Sequence, residues 1–464
     1  MKKTNLMPML KSIFLLAIIT SLTFNNLSAA VIKGKILDKE NKPFQNAGLI
    51  TVVNNLDGSQ EIKVHTVDNN GDYSISVNHT GFMQIVFGID TVDKFLIPMF
   101  VNNNQNYSLD MKLPHTQHPY IDFREVTLNS TTPNFVENIR MLFDIFNSID
   151  HIDMYHRGLN HTNDTADFGS KIKNEAKSII EKYKQTKDIG TKFVIGTCYI
   201  NVLNFIKDAN NPELISQVLI QDYLTNFNHN TEYLHSFAIN YDNIADLFPE
   251  GFSSEYLTNI SKKNNSPFVR SEVLAQAIIY YFDKKNDREN GEKFYYRLQN
   301  EYPDSEVAFY ASLKYDPNKK IQVGKQLPQF IVQSQDDQSL KFNNKYFENK
   351  YLFIHFWATQ SEESIFEINE LNRAMHTFGD KNFEIMSISL DKDWQSVIEY
   401  RNNRIPMLWR HGWEPNGGDG ILAKTFELYK IPFGILVSPD GKILELDNTL
   451  QGRRIMQTLS KYFK

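Results

Sequence analysis

Cysteine is almost absent from this sequence of 464 residues, which contains only Cys198. A single thiol permits no disulfide within the chain, so packed hydrophobic cores must stabilise the fold. Basic stripes are absent as well, and the formal net charge is -6. Because proteins that bind phosphate backbones cluster their lysines and arginines, we expect no nucleic-acid partner.

Long apolar runs are also scarce, and the one that stands out is at the amino terminus. Residues 12–24 are largely apolar, lysines precede them, and Ser28-Ala29-Ala30 follows. This order is typical of a secretory signal peptide, so we predict one over residues 1–30, cleaved near Ala30, and a periplasmic location in the cell envelope. The run is shorter than the roughly 20 residues of a membrane-spanning helix, so no span is expected in the mature chain. A lipoprotein would need a cysteine at the cleavage point, which the sequence lacks.

Two kinds of apolar spacing divide the first two thirds of the chain. Short alternating segments over residues 31–125, such as residues 73–77, favour strands and predict a small antiparallel β-sandwich. Over residues 132–316 the period becomes nearly four, which predicts a helical middle domain. One predicted helical face carries Ile195, Cys198, Val202 and Phe205.

Strands and helices alternate over residues 320–464. Buried strands are predicted at residues 351–358 and 383–391, and helices at residues 362–378 and 394–403. Alternation of this kind predicts an α/β domain with one central sheet and helices on both faces. The chain is therefore expected to be multidomain.

The most specific residues lie in this third region. They are Phe356-Trp357-Ala358-Thr359, Ser387-Ile388-Ser389-Leu390-Asp391 and Lys430-Ile431-Pro432. In this order they resemble the active-site lead-in, the following strand and the cis-proline loop of redoxins. The region resembles the TlpA-type branch of periplasmic thioredoxin-like proteins, a family of thiol-disulfide oxidoreductases with a thioredoxin-like fold.

The resemblance breaks at the redox motif. In that family a Cys-x-x-Cys pair follows the Trp-Ala-Thr segment after one residue, and here Gln360 is followed by Ser361 and Ser364. The thiolate is the nucleophile in thiol-disulfide exchange, whereas a serine hydroxyl stays protonated and forms no disulfide. We therefore predict no catalytic residues, with Ser361 and Ser364 as degenerate redox positions.

The same segment is typical of a capped helix start. Thr359 and Glu362 are spaced as a capping box, and acidic residues favour the helix dipole. Ser361 and Ser364 are then expected to be solvated residues of the first turn. Ser361 as an acyl nucleophile is disfavoured because no Gly-x-Ser-x-Gly signature is present. His355 is expected to be a strand residue with local hydrogen bonds.

A polypeptide-binding surface is implied by the resemblance, because the family's cis-proline loop presents backbone groups to extended peptides. A purely architectural role for the proline remains the alternative. Of Trp409 and Trp413, at least one is expected in the core, and the other is a candidate contact for a partner. The remaining candidate binding residues are Trp357, Gln360, Ile431, Pro432 and Phe433.

No cofactor or metal is expected. Asp150, His151, Asp153, His156 and His161 lie close together, but their spacing matches no compact metal site, and a solvated loop is expected.

Two functions follow from the sequence. The first is a non-catalytic protein that binds or scaffolds a polypeptide of the envelope. The second is an enzyme, either an oxidoreductase-family protein that contributes to redox homeostasis through a partner's cysteines or a different activity in a cleft between domains.

Overall fold

The structure is a computed structural model that describes residues 29–44, 47–89, 92–114, 121–159, 165–229, 231–403 and 407–463. Its contacts divide the chain into two units, Met1–Val307 and Ala308–Lys464. Residues 1–28 of the signal peptide predicted over residues 1–30 lie outside the described residues. Among the helices that are described, none combines the length and the apolar character needed to cross a membrane.

The amino-terminal part of the first unit is β structure. Its strands are β1 (Ala30–Asp38), β2 (Ala47–Asn54), β3 (Gln60–Thr66), β4 (Asp72–Val77), β5 (Gly81–Ile89), β6 (Val92–Val101), β7 (Asn106–Ser108), β8 (Asp110–Leu113) and β9 (Thr127–Asn129).

These strands form two sheets around one core. The first has the order β4-β1-β8-β9, with β7 also paired to β1, and the second has the order β3-β2-β5-β6. Ile32 and Ile75 of the first sheet share a core cluster with Leu49, Ile85 and Ile97 of the second. The expectation of purely antiparallel strands is wrong at β1, which pairs in parallel with β7 and β8.

Helices follow the strands, as the change of period predicted. They are α1 (Phe135–Leu159), α2 (Thr165–Gln185), α3 (Ile189–Asn201), α4 (Leu203–Asp208), α5 (Gln217–Asn226), α6 (Tyr241–Ala245), α7 (Glu255–Lys263), α8 (Pro267–Ile279), α9 (Arg288–Glu301) and α10 (Glu306–Tyr315). The face predicted to run from Ile195 to Phe205 is divided, because α3 ends at Asn201 and α4 begins at Leu203.

Two phenylalanines join the second sheet to the helices. Phe82 of β5 lies opposite Phe100 of β6 in the ladder, and both belong to the core of the helical region. Phe82 packs edge-on against Phe237 with ring centroids 5.0 Å apart, and Phe100 packs in the same way against Tyr233. Both edge-on contacts stabilise the fold by more than their buried apolar area alone would. The sheets and the helices of this unit therefore fold together.

The second unit alternates strands and helices. Its elements are β10 (Ile331–Ser334), β11 (Lys341–Asn343), β12 (Tyr351–Trp357), α11 (Glu362–Phe378), β13 (Phe383–Ser389), α12 (Trp394–Asn403), β14 (Arg410–Trp413), α13 (Ile421–Thr425), β15 (Phe433–Val437), β16 (Ile443–Leu446) and α14 (Arg454–Tyr462).

One mixed sheet with the order β11-β10-β14-β13-β12-β15-β16 forms the centre of this unit. Helices α11, α12 and α14 contribute Ile368, Val397 and Ile455 to the core on one face. Helix α13 contributes Leu422 to the core on the other face. The predicted sheet with helices on both faces is therefore confirmed.

Candidate functional site

The carboxyl ends of three parallel strands define one edge of the sheet in the second unit. Strands β12, β13 and β14 pair in parallel and end at Trp357, Ser389 and Trp413. Strand β15 is antiparallel to β12 and begins at Phe433, opposite Phe356. The loops that follow the three strands and the loop that precedes β15 therefore meet at this edge.

Ser361 is the N-cap of helix α11. Its backbone is extended, with φ -94° and ψ 111°, and its Oγ accepts a hydrogen bond from the backbone N–H of Ser364 at 3.1 Å. Glu362 and Glu363 occupy the first turn, where a negative charge is favourable to the helix dipole. The capping box predicted at Thr359 and Glu362 is wrong, because the cap lies two residues later.

Thr359 instead belongs to a hydrogen-bond network around Asp391, the second residue after β13. The Asp391 carboxylate accepts from the backbone N–H of Thr359 at 3.1 Å and from its hydroxyl at 2.7 Å. It also accepts from the Ser389 hydroxyl at 2.8 Å. Asp391 thus fixes the loop between β12 and α11, and no local pattern in the sequence revealed this role.

Ser364 is fully buried, so the expectation of a solvated residue is wrong for this position. Its hydroxyl oxygen has no hydrogen-bond partner among the described residues. Ser361, by contrast, is half-buried, and its hydroxyl donates to Glu363 at 3.3 Å. Ser361 and Ser364 therefore occupy different environments, and neither hydroxyl is paired with a histidine in the described structure.

A row of buried polar side chains crosses the sheet beneath α11. His355, Ser387 and His411 lie side by side on β12, β13 and β14. His355 Nδ1 lies 3.2 Å from the hydroxyl of Ser387, which also accepts from the Trp409 indole at 2.8 Å. Local hydrogen bonding of His355 is confirmed for Nδ1 only, because Nε2 is buried without a hydrogen-bond partner among the described residues. Trp409 is the core tryptophan that the sequence predicted.

Helix α11 places a carboxylate above this row. Oε2 of the buried Glu367 lies 3.5 Å from Nε2 of His355. Burial, together with the charge of Arg401, lowers the pKa of His411 to about 4. The imidazole of His411 is therefore neutral near neutral pH. The row is closed to solvent, which excludes direct contact between these side chains and a substrate.

The predicted binding residues separate into buried and accessible positions. Trp357 is fully buried, and Pro432 and Phe433 are buried too, so their side chains belong to the core. Gln360 is exposed and Ile431 is half-buried. The peptide bond between Ile431 and Pro432 is cis, as the resemblance implies.

An aromatic pair flanks the same edge. Trp394 at the start of α12 packs edge-on against Trp413 at the end of β14, with ring centroids 4.8 Å apart. The Trp413 indole donates to the backbone carbonyl of Asp391 at 2.7 Å. Both rings are half-buried. The sequence suggested a contact role for one of Trp409 and Trp413 but gave no indication that Trp394 would be its neighbour.

His151 and His156 lie on helix α1 of the first unit, so the prediction of a loop is wrong for these residues. His151 pairs with Glu175 at 2.9 Å, and His156 pairs with Asp208 at the same distance. His161 lies outside the described residues. Across the described ranges, no group of three or more ligand side chains is arranged to hold a metal.

Cys198 is a core residue of the helical region in the first unit. It is buried in α3, and burial raises the pKa of its thiol. A protonated, enclosed thiol is neither a nucleophile nor a disulfide partner.

A comparison with protein-family models agrees with this geometry. Residues 349–443 match a family model described as thioredoxin-like. Over these residues the carboxyl-terminal region of the chain is similar to thioredoxin-like domains. No curated protein matches the chain.

Solved structures similar to part of this chain come from several bacteria. A thiol-disulfide oxidoreductase from Bacteroides fragilis NCTC 9343 is 28% identical over 30% of this chain and 99% of that chain, with a TM-score of 0.26. The thioredoxin domain of a thiol-disulfide oxidoreductase from Bacteroides vulgatus is 22% identical over 31% and 99%, with a TM-score of 0.28. A thiol:disulfide interchange protein from Bacteroides sp. is 23% identical over 31% and 91%, with a TM-score of 0.27.

Proposed function

We propose that this chain is an exported envelope protein whose thioredoxin-like domain is redox-inactive and binds a polypeptide. The mature chain would comprise a β-sandwich domain (residues 31–125), a helical domain (residues 132–316) and the thioredoxin-like domain (residues 320–464). The signal-peptide pattern of residues 1–30 supports export.

Redox inactivity is supported by the position of the one cysteine and by the serines at the two motif positions. Both positions of the family motif are serines, and the one cysteine of the chain is a buried core residue with a raised pKa. Disulfide exchange requires an accessible thiolate. Neither Ser361 nor Cys198 provides one, so the chain supplies no group that could take over the attack.

Polypeptide binding is supported above all by the half-buried Trp394–Trp413 pair at the loop edge. Large aromatic rings that are partly exposed offer contact area at a small entropic cost, and tryptophan is enriched where binding energy is concentrated. The Asp391 network fixes the neighbouring loop, which leaves the exposed Gln360 in a defined position. Ile431, before the cis bond, is a half-buried apolar residue of the opposite loop.

Binding is tested with the full chain and with its Trp394→Ala variant. Titration with a fluorescently labelled unfolded polypeptide should give a Kd that rises at least about tenfold in the variant, because truncation of a central interface tryptophan typically costs about 2 kcal/mol. Val218→Ala is the matched control, since Val218 is an exposed apolar residue of the first unit. Equal affinities of the Trp394 variant and the unsubstituted chain would exclude this surface.

Redox inactivity is tested with the double variant Ser361→Cys/Ser364→Cys. The unsubstituted chain should not reduce insulin above background, and the double variant should gain activity because both positions retain the family's spacing at a helix N-terminus. Glu362 and Glu363 disfavour a neighbouring thiolate, so replacing both by glutamine in the cysteine variant should increase the rate. Insulin reduction by the unsubstituted chain would contradict the proposal.

A further inference from the structure

Strand β3 is an edge strand of the second sheet in the first unit, and it exposes apolar side chains. It is the outermost strand in the order β3-β2-β5-β6, and in the described part of the chain no strand pairs with its outer side. Ile62 and Val64, in its middle, are 61% and 75% exposed. A long edge strand with exposed β-branched residues is a template for pairing with another strand.

The hairpin between β2 and β3 fixes which backbone groups of β3 face outward. The N–H of Asn55 donates to the carbonyl of Ser59 at 2.8 Å, and Asn54 lies opposite Gln60. Hydrogen-bonded and non-hydrogen-bonded pairs alternate along an antiparallel ladder. The residues of β3 that direct their N–H and C=O groups away from β2 are therefore Gln60, Ile62, Val64 and Thr66.

One face of the second sheet carries apolar side chains from the edge strand β3 across β2 and β5 to β6. Val64 lies opposite Ile50, Ile50 opposite Val86, and Val86 opposite Leu96. Ile50, Val86 and Leu96 are partly exposed. At its other end the same face carries Phe82 and Phe100, which pack against the helices. The free apolar face is thus continuous with a packed interface of the chain.

Charge along β3 is self-complementary in one antiparallel register. Glu61 and Lys63 flank Ile62 and form an ion pair within the strand. If Ile62 lies opposite Ile62 of a second copy, each Glu61 lies opposite a Lys63, and each Gln60 lies opposite a Val64. The Ile62 pair is then a hydrogen-bonded pair, which is the type that its outward backbone groups require. Opposite charges directly across two strands stabilise the pairing.

Other symmetric registers are less favourable. Centring the pair on Lys63 places two lysines opposite each other in a non-hydrogen-bonded pair, where facing side chains are closest and like charges destabilise the pairing. Centring the pair on Val64 also gives a hydrogen-bonded central pair, because the backbone groups of Val64 face outward like those of Ile62. It places Lys63 opposite His65, however, and the positive charge of Lys63 would oppose protonation of His65. We propose that the chain forms a homodimer in which β3 pairs antiparallel with β3 of a second copy, with Ile62 opposite Ile62.

Cross-linking tests the register in the full chain. In the proposed pair the two Ile62 Cα atoms are about 5.5 Å apart, within the disulfide range of about 4.4–6.8 Å. Ile62→Cys should therefore form a covalent dimer under mild oxidation. Val64→Cys is the matched control on the same face, because the two Val64 positions would be about 14 Å apart along the strands. The unsubstituted chain is the negative control, because its one cysteine is buried and should not form a disulfide between copies.

Charge exchange tests the pairing independently. Glu61→Lys alone places lysines opposite lysines at two symmetric positions, and sedimentation equilibrium should show a dimer Kd at least about tenfold higher. Glu61→Lys/Lys63→Glu restores opposite charges and should restore the Kd of the unsubstituted chain. Thermal unfolding of each variant, followed by circular dichroism, reports any change in the monomer fold.

The outcomes separate the alternatives. Selective cross-linking at residue 62 and rescue by the double exchange support the homodimer. A chain that sediments as a monomer at about 100 μM would overturn it, as would equal cross-linking at residues 62 and 64. A Kd that rises with Glu61→Lys but is not restored by the double exchange would exclude the self-complementary register.

Discussion

Ser361 and Ser364 should have opposite effects on stability when each is replaced by alanine. Ser361→Ala removes the oxygen that accepts the N–H of Ser364 at the start of α11. Loss of an N-cap serine typically costs about 1 kcal/mol, within a range of about 0.5–2 kcal/mol. The free energy of unfolding of the thioredoxin-like domain should fall by that amount.

Ser364→Ala should stabilise the same domain. The hydroxyl of Ser364 is buried without a hydrogen-bond partner among the described residues. A buried polar group that is left unpaired costs about 1–3 kcal/mol, and removal of one oxygen leaves little empty volume. We therefore expect the free energy of unfolding to rise by about 1 kcal/mol.

Tryptophan fluorescence measures this domain selectively in the full chain. All four tryptophans lie in the second unit, at positions 357, 394, 409 and 413. With a urea dependence of about 2 kcal/mol per molar, a change of 1 kcal/mol shifts the midpoint by about 0.5 M. Ser361→Ala should lower the urea midpoint, and Ser364→Ala should raise it.

A matched substitution separates the cap from other effects of residue 361. Ser361→Asp retains a side-chain oxygen that can cap the helix, so its midpoint should stay close to that of the unsubstituted chain. The reasoning is refuted if Ser361→Ala leaves the midpoint unchanged, or if both alanine variants shift it in the same direction.

Two further predictions concern the same domain. Asp391→Ala removes the acceptor for Thr359 and Ser389 and should lower the free energy of unfolding by about 2–3 kcal/mol. Asp391→Asn retains one acceptor oxygen, so its free energy of unfolding should fall by less. Equal urea midpoints for the two variants would contradict a role of the charged network. The pKa of His411 is lowered to about 4 in the folded state, mainly by burial, so the unfolded chain binds more protons below its ordinary pKa. Stability should be fully present above about pH 6.5 and decrease as the pH falls toward 4, and His411→Gln should reduce this decrease in urea midpoints measured across that range.

The order of strands and helices could be predicted because it depends on local periodicity. Alternating apolar residues in β4 and the period of nearly four in α2 are properties of neighbouring residues, and both elements are present. The parallel pairing of β1 with β7 and β8 depends on residues about 75 positions apart, as in Ile36 opposite Met111. A distant pairing of this kind leaves no signal in the spacing of either segment.

The site was predictable in position but not in its internal contacts. Short motifs singled out Ser361, Ser364 and Pro432, and the structure brings their loops to one edge of the sheet. The position of the helix cap was wrong because Thr359 bonds to Asp391, 32 residues away in the chain. Once that distant carboxylate holds Thr359, Ser361 is the next residue able to accept the free N–H groups of the helix.

The hydrogen bonds described at this edge of the sheet join oxygen and nitrogen atoms. Asp391 holds the loop before α11, and the buried row of His355, Ser387 and Trp409 joins the strands beneath it. On the proposed function, these oxygen and nitrogen contacts fix the positions of the exposed loops without any redox cysteine. On the proposed function, selection can then act on binding alone, and carboxylates such as Glu362 and Glu363 that would oppose a thiolate become favourable as first-turn residues of the helix.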